Sequence, residues 1–281
     1  MTSILLTGWL LQPTVAMCPS AADAPVLRTT ADLPSAWLTL LRCTRESLRL
    51  GDWAAVDTRL AVARRAGLAL TPSDADSWYD LVDRLTATRI VDAHAWHGAE
   101  TLAAPISPAR EWLRTMVAAV SRARLAWQTQ DREMFAHVLA DARALRALGA
   151  AQGDVDLTRA ALIVQAAAAG GQYERDEMHL LLEAAHQHEQ SLRDAFGEEY
   201  VPVVIARELE ADLWLQTDRY ARAADVYRAV IAAHPGRPHP WMGLAAAYRR
   251  LGHVAEAEAS ATEARRLSPG FTFADGPEGP P

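Results

Sequence analysis

From Pro34 onward apolar residues return every three or four positions, and short polar runs interrupt them at intervals. That spacing puts the apolar side chains on one face of a helix. Trp37, Leu38, Leu41 and Leu48 predict a first helix, Gly51-Asp52 a break, and Trp53, Val56, Leu60 and Ala63 a second helix ending at Gly67. Thr71-Pro72-Ser73-Asp74 combines a hydroxyl cap, a first-turn Pro and an early acid, so it predicts a helix start; Trp78, Leu81, Leu85 and Ile90 follow on one face. A short helix is expected over residues 95–102. Ala104-Pro105-Ile106-Ser107-Pro108 then breaks the pattern, since Pro neither donates to a helix nor tolerates helical geometry before it. Beyond it, Trp112, Met116, Val120 and Trp127 mark one helix, and Phe135, Val138, Leu139, Ala142 and Leu145 its partner. Gly149 and Gly153 are expected to bracket a loop. A helix over 157–169 should be closed by Gly170-Gly171, and a long one is expected over 174–195 with Met178, Leu181, Leu182, Ala185 and Leu192 on its apolar side. No sustained strand alternation is present.

The stretch 207–269 repeats itself at a shift of 34 residues: Ala211 falls on Ala245, Trp214 on Tyr248, Ala223 on Ala257 and Pro235 on Pro269. A two-helix unit at that period is the mark of a solenoid. The second copy, with Trp241, Leu244, Ala245, Tyr248, Gly252, Ala257, Ala264 and Pro269, resembles the tetratricopeptide repeat. The first copy departs from it at Arg207, Glu210 and Val230, where apolar or small residues are usual. The expected fold is all-α: a tetratricopeptide-like superhelical solenoid of about six helical hairpins. Residues 1–32 form an arm or signal-like segment, 33–203 divergent hairpins, 204–269 the clear repeats and 270–281 a Gly/Pro-rich tail.

Composition narrows the picture. The chain of 281 residues is half apolar, with only four Phe, which favours close-packed helices over a sheet. A net charge of −7 argues against a general nucleic-acid binder. All 28 basic residues are Arg. Two cysteines, Cys18 and Cys43, are too few for a disulfide framework or a zinc site and fit a reducing compartment; Cys43 is expected as a small buried residue of the first helix. Residues 4–11 are apolar and precede Ala22-Asp23-Ala24, as in an export signal. No basic residue precedes that run, so a cytoplasmic location is favoured, with export to the periplasm or envelope as the alternative. No other run is long enough to span a membrane.

Three constellations carry candidate chemistry. Asp176, His179, Glu183 and His186 line one face of a helix, where two imidazoles and a carboxylate could hold zinc. A solvated polar face explains them without a metal. Asp92, His94 and His97 flank Trp96 near a helix end and suit capping and packing better than catalysis. Arg42, Arg45, Arg49, Arg59, Arg64 and Arg65 make the first hairpin locally basic, diluted by Glu46, Asp52 and Asp57. Seven of the nine tryptophans fall at core positions of the predicted helices.

The resemblance implies a concave face that takes a protein or peptide, and the equivalent positions here are Glu208, Leu209, Asp212, Met242, Gly243, Ala246, Arg249 and Arg250. Met242 and Ala246 do not supply the Lys and Asn with which one family subgroup grips a C-terminal carboxylate. The reading is therefore a non-enzymatic protein–protein scaffold or adaptor with no cofactor and no nucleic-acid partner, possible as a homodimer. The alternative is a regulatory or sensory module of the kind found in bacterial regulators. A metal-dependent hydrolase built on His179, Glu183 and His186 is a remote third.

Overall fold

The structure is a computed structural model that describes residue 18 and residues 33–68, 70–92, 111–197, 200 and 202–268. Within them lie eleven helices and no strand: α1 Leu33–Leu50, α2 Trp53–Gly67, α3 Pro72–Asp92, α4 Glu111–Thr129, α5 Arg132–Gln152, α6 Val155–Gly171, α7 Arg175–Phe196, α8 Ala206–Gln216, α9 Tyr220–Ala233, α10 Pro238–Leu251 and α11 Val254–Leu267. Neighbours in sequence pack as neighbours in space, as a helical-repeat solenoid requires. Five hairpins are complete among the described residues, and α3 stands between the first and second. The short helix expected over 95–102, the breaker at 104–108 and the tail 270–281 lie outside the described residues, as does all of 1–32 except Cys18.

One turn builds all five hairpins. A residue with positive φ follows each first helix: Gly51 (68°), Gln130 (56°), Tyr173 (63°), Asp218 (61°) and Gly252 (78°). The N–H of the next residue donates to the carbonyl five positions back, in the pairs Asp52–Ser47, Asp131–Ala126, Glu174–Ala169, Arg219–Trp214 and His253–Tyr248, each at 2.9 Å. This bond satisfies a carbonyl the helix end leaves unpaired. In two hairpins an Asp then caps the second helix: Asp52 accepts from Ala55 N–H, and Asp131 from Glu133 and Met134 N–H. The divergent hairpins thus share their turn with the clear repeats.

Two apolar cores fill the solenoid. The smaller belongs to α1–α3 and packs Leu40, Val56, Leu60, Tyr79, Val82 and Leu85 around Trp78, whose indole N–H donates to the Ala63 carbonyl at 2.8 Å. The larger runs from the end of α3 to α10. Its axis is α6, buried on nearly every side because its many alanines let α4, α5, α7 and α8 approach closely. Gly170 and Gly171 are the last two residues of this helix, which ends with them as expected. Neither can carry a side chain there, because the Leu213 and Phe135 side chains lie where a Cβ would stand. Gly149 stays within α5, packed against Thr158 and Leu157.

Between the cores the contacts are polar. Arg84 of α3 binds Asp156 at 2.7 Å, Asp156 binds Arg159 at 3.0 Å, and Arg159 donates to the Val204 carbonyl at 2.9 Å. Burial alone would raise the Asp156 carboxyl, but the two guanidinium groups outweigh it and hold it below the usual carboxylate range. The expected thiol pair is corrected here. Cys43 is buried in α1, as its pattern implies, but its sulfur is bonded to Cys18, and a single disulfide needs no framework of further cysteines.

Candidate functional site

A cleft of about 870 Å³ lies where the N-terminal helices meet the C-terminal hairpins. One wall is α1 and α3, with Arg45, Leu48, Arg49, Leu85, Thr88 and Asp92. The other is the end of α7, the segment leading to α8 and the turn between α9 and α10, which bring Arg193, Tyr200, Ile205, His234, Arg237 and His239. Pro235 and Pro238 keep that turn out of helical geometry and hold its charged residues together.

Ion pairs fix the walls. Arg237 donates to both Glu208 oxygens, at 2.5 and 2.9 Å, and to Asp92 at 2.9 Å, joining α3 on one wall of the cleft to α8. Burial is the largest influence on Asp92 and pushes its carboxyl up; Arg237 opposes it and Glu208 adds to it. Arg193 binds Glu189 at 2.7 Å and donates to His234 Nε2 at 3.2 Å. Burial first, then Arg193 and Arg237, push His234 down, so it stands as a neutral imidazole with Nε2 accepting. Glu189 also accepts the Ala206 N–H at 3.1 Å and so holds the start of α8. His239 pairs with Asp212 at 3.1 Å. Burial alone would lower its pKa, but Asp212 outweighs burial and raises it.

The stripe on α7 has other duties. His179 meets Glu210 at 2.7 Å, Glu183 binds Arg207, and His186 meets Gln190 at 2.9 Å. Arg207 and Trp214 also bind Glu210, which is fully buried. His179 and Glu183 therefore form part of a seam between α7 and α8, while His186 bonds within α7 and Asp176 remains exposed. Arg207 and Glu210, the residues at which the first repeat departs from its pattern, are the partners that make the seam. Among the described residues no group of three possible ligands is placed to hold a metal ion.

Residues 215–269 match the family model for the tetratricopeptide repeat, and the described residues before the match contain helices and no strand. The chain carries a tetratricopeptide-type repeat over residues 215–269. No curated protein and no solved structure matches the chain. Tetratricopeptide repeats serve in general as protein-interaction scaffolds and are generally non-catalytic. Among the described residues no helix is long and apolar enough to cross a membrane.

The tetratricopeptide positions expected to face a partner are divided by the structure. Glu208 and Leu209 are buried, the first held by Arg237. Asp212 accepts from the Tyr227 hydroxyl at 2.5 Å as well as pairing with His239. Gly243 and Ala246 are buried, with the Tyr227 ring against the Gly243 Cα. Met242 is half-buried, and Arg249 and Arg250 are exposed. Of the basic first hairpin, Arg45 and Arg49 line the cleft, while Arg64 turns to Thr86 and Asp83. Asp92 ends α3 and is committed to Arg237; His94, Trp96 and His97 lie outside the described residues. Arg193, His234 and Arg237 were not singled out by sequence reasoning. A usable signal existed, because His234, Arg237 and His239 crowd into one Pro- and Gly-rich turn.

Proposed function

We propose that this tetratricopeptide protein is a non-catalytic scaffold that presents α10 to a protein or peptide partner. The observation that supports the reading is the division just described: α8 spends its inner residues on Arg237, Tyr227 and His239, whereas α10 leaves Met242, Arg249 and Arg250 at the surface on one stripe. Arginine beside an apolar side chain suits a partner carrying an acid next to an apolar anchor. The test is affinity capture from native lysate with the wild-type chain and with Met242→Glu/Arg249→Glu/Arg250→Glu. A partner retained by the wild type, cross-linked to α10 and lost from the variant supports the reading. Equal retention by both would sink it.

A further inference from the structure

Helix α11 ends at the rim of the cleft. Arg49, which lines the cleft, donates to the carbonyl of Leu267, the last residue of α11, at 3.5 Å. Ser268 follows and is 1% exposed, so the chain leaves α11 against the protein and not into open solvent. The buried Ser268 hydroxyl has no hydrogen-bond partner among the described residues, which is costly unless a nearby segment answers it. Residues 269–281 come next, and Phe271 and Phe273 are their only aromatic side chains. An extended chain covers at most about 3.5 Å per residue, so Phe271 reaches about 14 Å and Phe273 about 21 Å from Leu267. Alternation along an extended chain puts both rings on one face. The wall across the rim is apolar and open: Pro202 and Ile205 are half-buried, and Ala233 and Pro235 are exposed. Ile205 also stands at the N-cap of α8 and makes no capping bond. A Ser or Asp would serve that helix end better, so an apolar side chain is kept on the cleft wall at the expense of the cap.

We propose that the cleft is the seat of the chain's own C-terminal segment, with Phe271 and Phe273 lying against Pro202, Ile205, Ala233 and Pro235. The seated segment covers this wall and closes the cleft to other molecules. A partner that captures the segment therefore uncovers an apolar site, which couples the two events. The contact is independent of the scaffold reading, since it uses none of Met242, Arg249 or Arg250.

Fluorine NMR of the full chain labelled with 4-fluorophenylalanine tests this, because the chain has only four Phe. Phe196→Leu, Phe271→Leu and Phe273→Leu assign three resonances, and the fourth is Phe135. Phe135 is buried and Phe196 is 59% exposed, so these two calibrate the broadening caused by a soluble paramagnetic agent. The Phe271 and Phe273 lines should broaden less than Phe196 and approach Phe135. Ile205→Ser/Ala233→Glu then strips apolar contact from the wall. Ser is a favourable N-cap and Ala233 is an exposed position, so this variant should stay folded by circular dichroism. In it both lines should lose their protection and move to the Phe196 response. Any one of three results overturns the proposal: wild-type Phe271 and Phe273 lines broadened as much as Phe196, unchanged protection in the folded double variant, or protection that fades on dilution, which would seat the segment on a second copy.

Discussion

The first three helices and the last four solve the same packing problem with different means. In α8–α11 small residues stand where helices cross: Ala211, Ala223, Ala245, Ala257 and Gly243 are all buried, and the Tyr227 ring lies against Gly243. In α1–α3 bulk does the work, with Trp78 and Tyr79 pressed over Gly67 and a disulfide tying Cys43 to Cys18. Close backbone approach makes a unit that can be repeated, because each crossing looks like the next. A core built on one large ring is particular to its place. The family match, residues 215–269, lies within the first kind of packing.

The comparison can be broken where the two regions touch. Arg237→Ala leaves Asp92 and Glu208 buried without their cation, a loss of about 3–5 kcal/mol for such pairs. Urea unfolding should then split into two transitions, one for each region. A single transition with an unchanged midpoint would show that the Arg237 pairs do not couple the regions. Cys18→Ala acts on the N-terminal region alone. Opening a loop with a sequence separation of 25 removes about 3.5 kcal/mol by the chain-entropy estimate, so amide exchange should quicken in α1–α3 and stay constant in α8–α11. Gly243→Val tests the other region by forcing a side chain into the Tyr227 ring, at about 3 kcal/mol; exchange should quicken in α8–α11 first.

Smaller effects sharpen the picture. Gln130→Gly relieves a left-handed residue and should stabilise the chain by about 0.5–1 kcal/mol, read from the thermal midpoint. His239 has a folded pKa raised above its unfolded value of about 6.5. Its contribution is therefore fully present below that pH and is lost as pH rises through the folded pKa. Compared with His239→Asn, the wild-type chain should lose more stability between acidic and alkaline buffer.

The helices were legible because α4, α5 and α7 keep strong apolar stripes, and the last two hairpins because Trp241, Tyr248 and Gly252 stand at a repeat spacing. The earlier repeats were not. Helices α4 to α7 have 17 to 22 residues against 11 to 14 in α8 to α11, so no single period runs through both. Their shared turn was hidden as well, since Gln130, Tyr173 and Asp218 hold a conformation that Gly would have advertised. The cleft was illegible for another reason. Its residues run from Arg45 to His239, and local periodicity carries no information about which distant helix ends meet. The departures at Arg207 and Glu210 were visible, but their meaning required the α7 stripe beside them.

The bonds from Arg45, Arg49 and Arg237 across the cleft also change how the molecule would answer to pulling. An open helical solenoid stretches like a spring, giving a little at every hairpin. Here Arg237 holds Asp92 and Arg49 reaches Leu267, so load between α1 and α11 falls first on a latch and only then on the coil. Extension should begin with one abrupt yield, after which the hairpins uncoil compliantly.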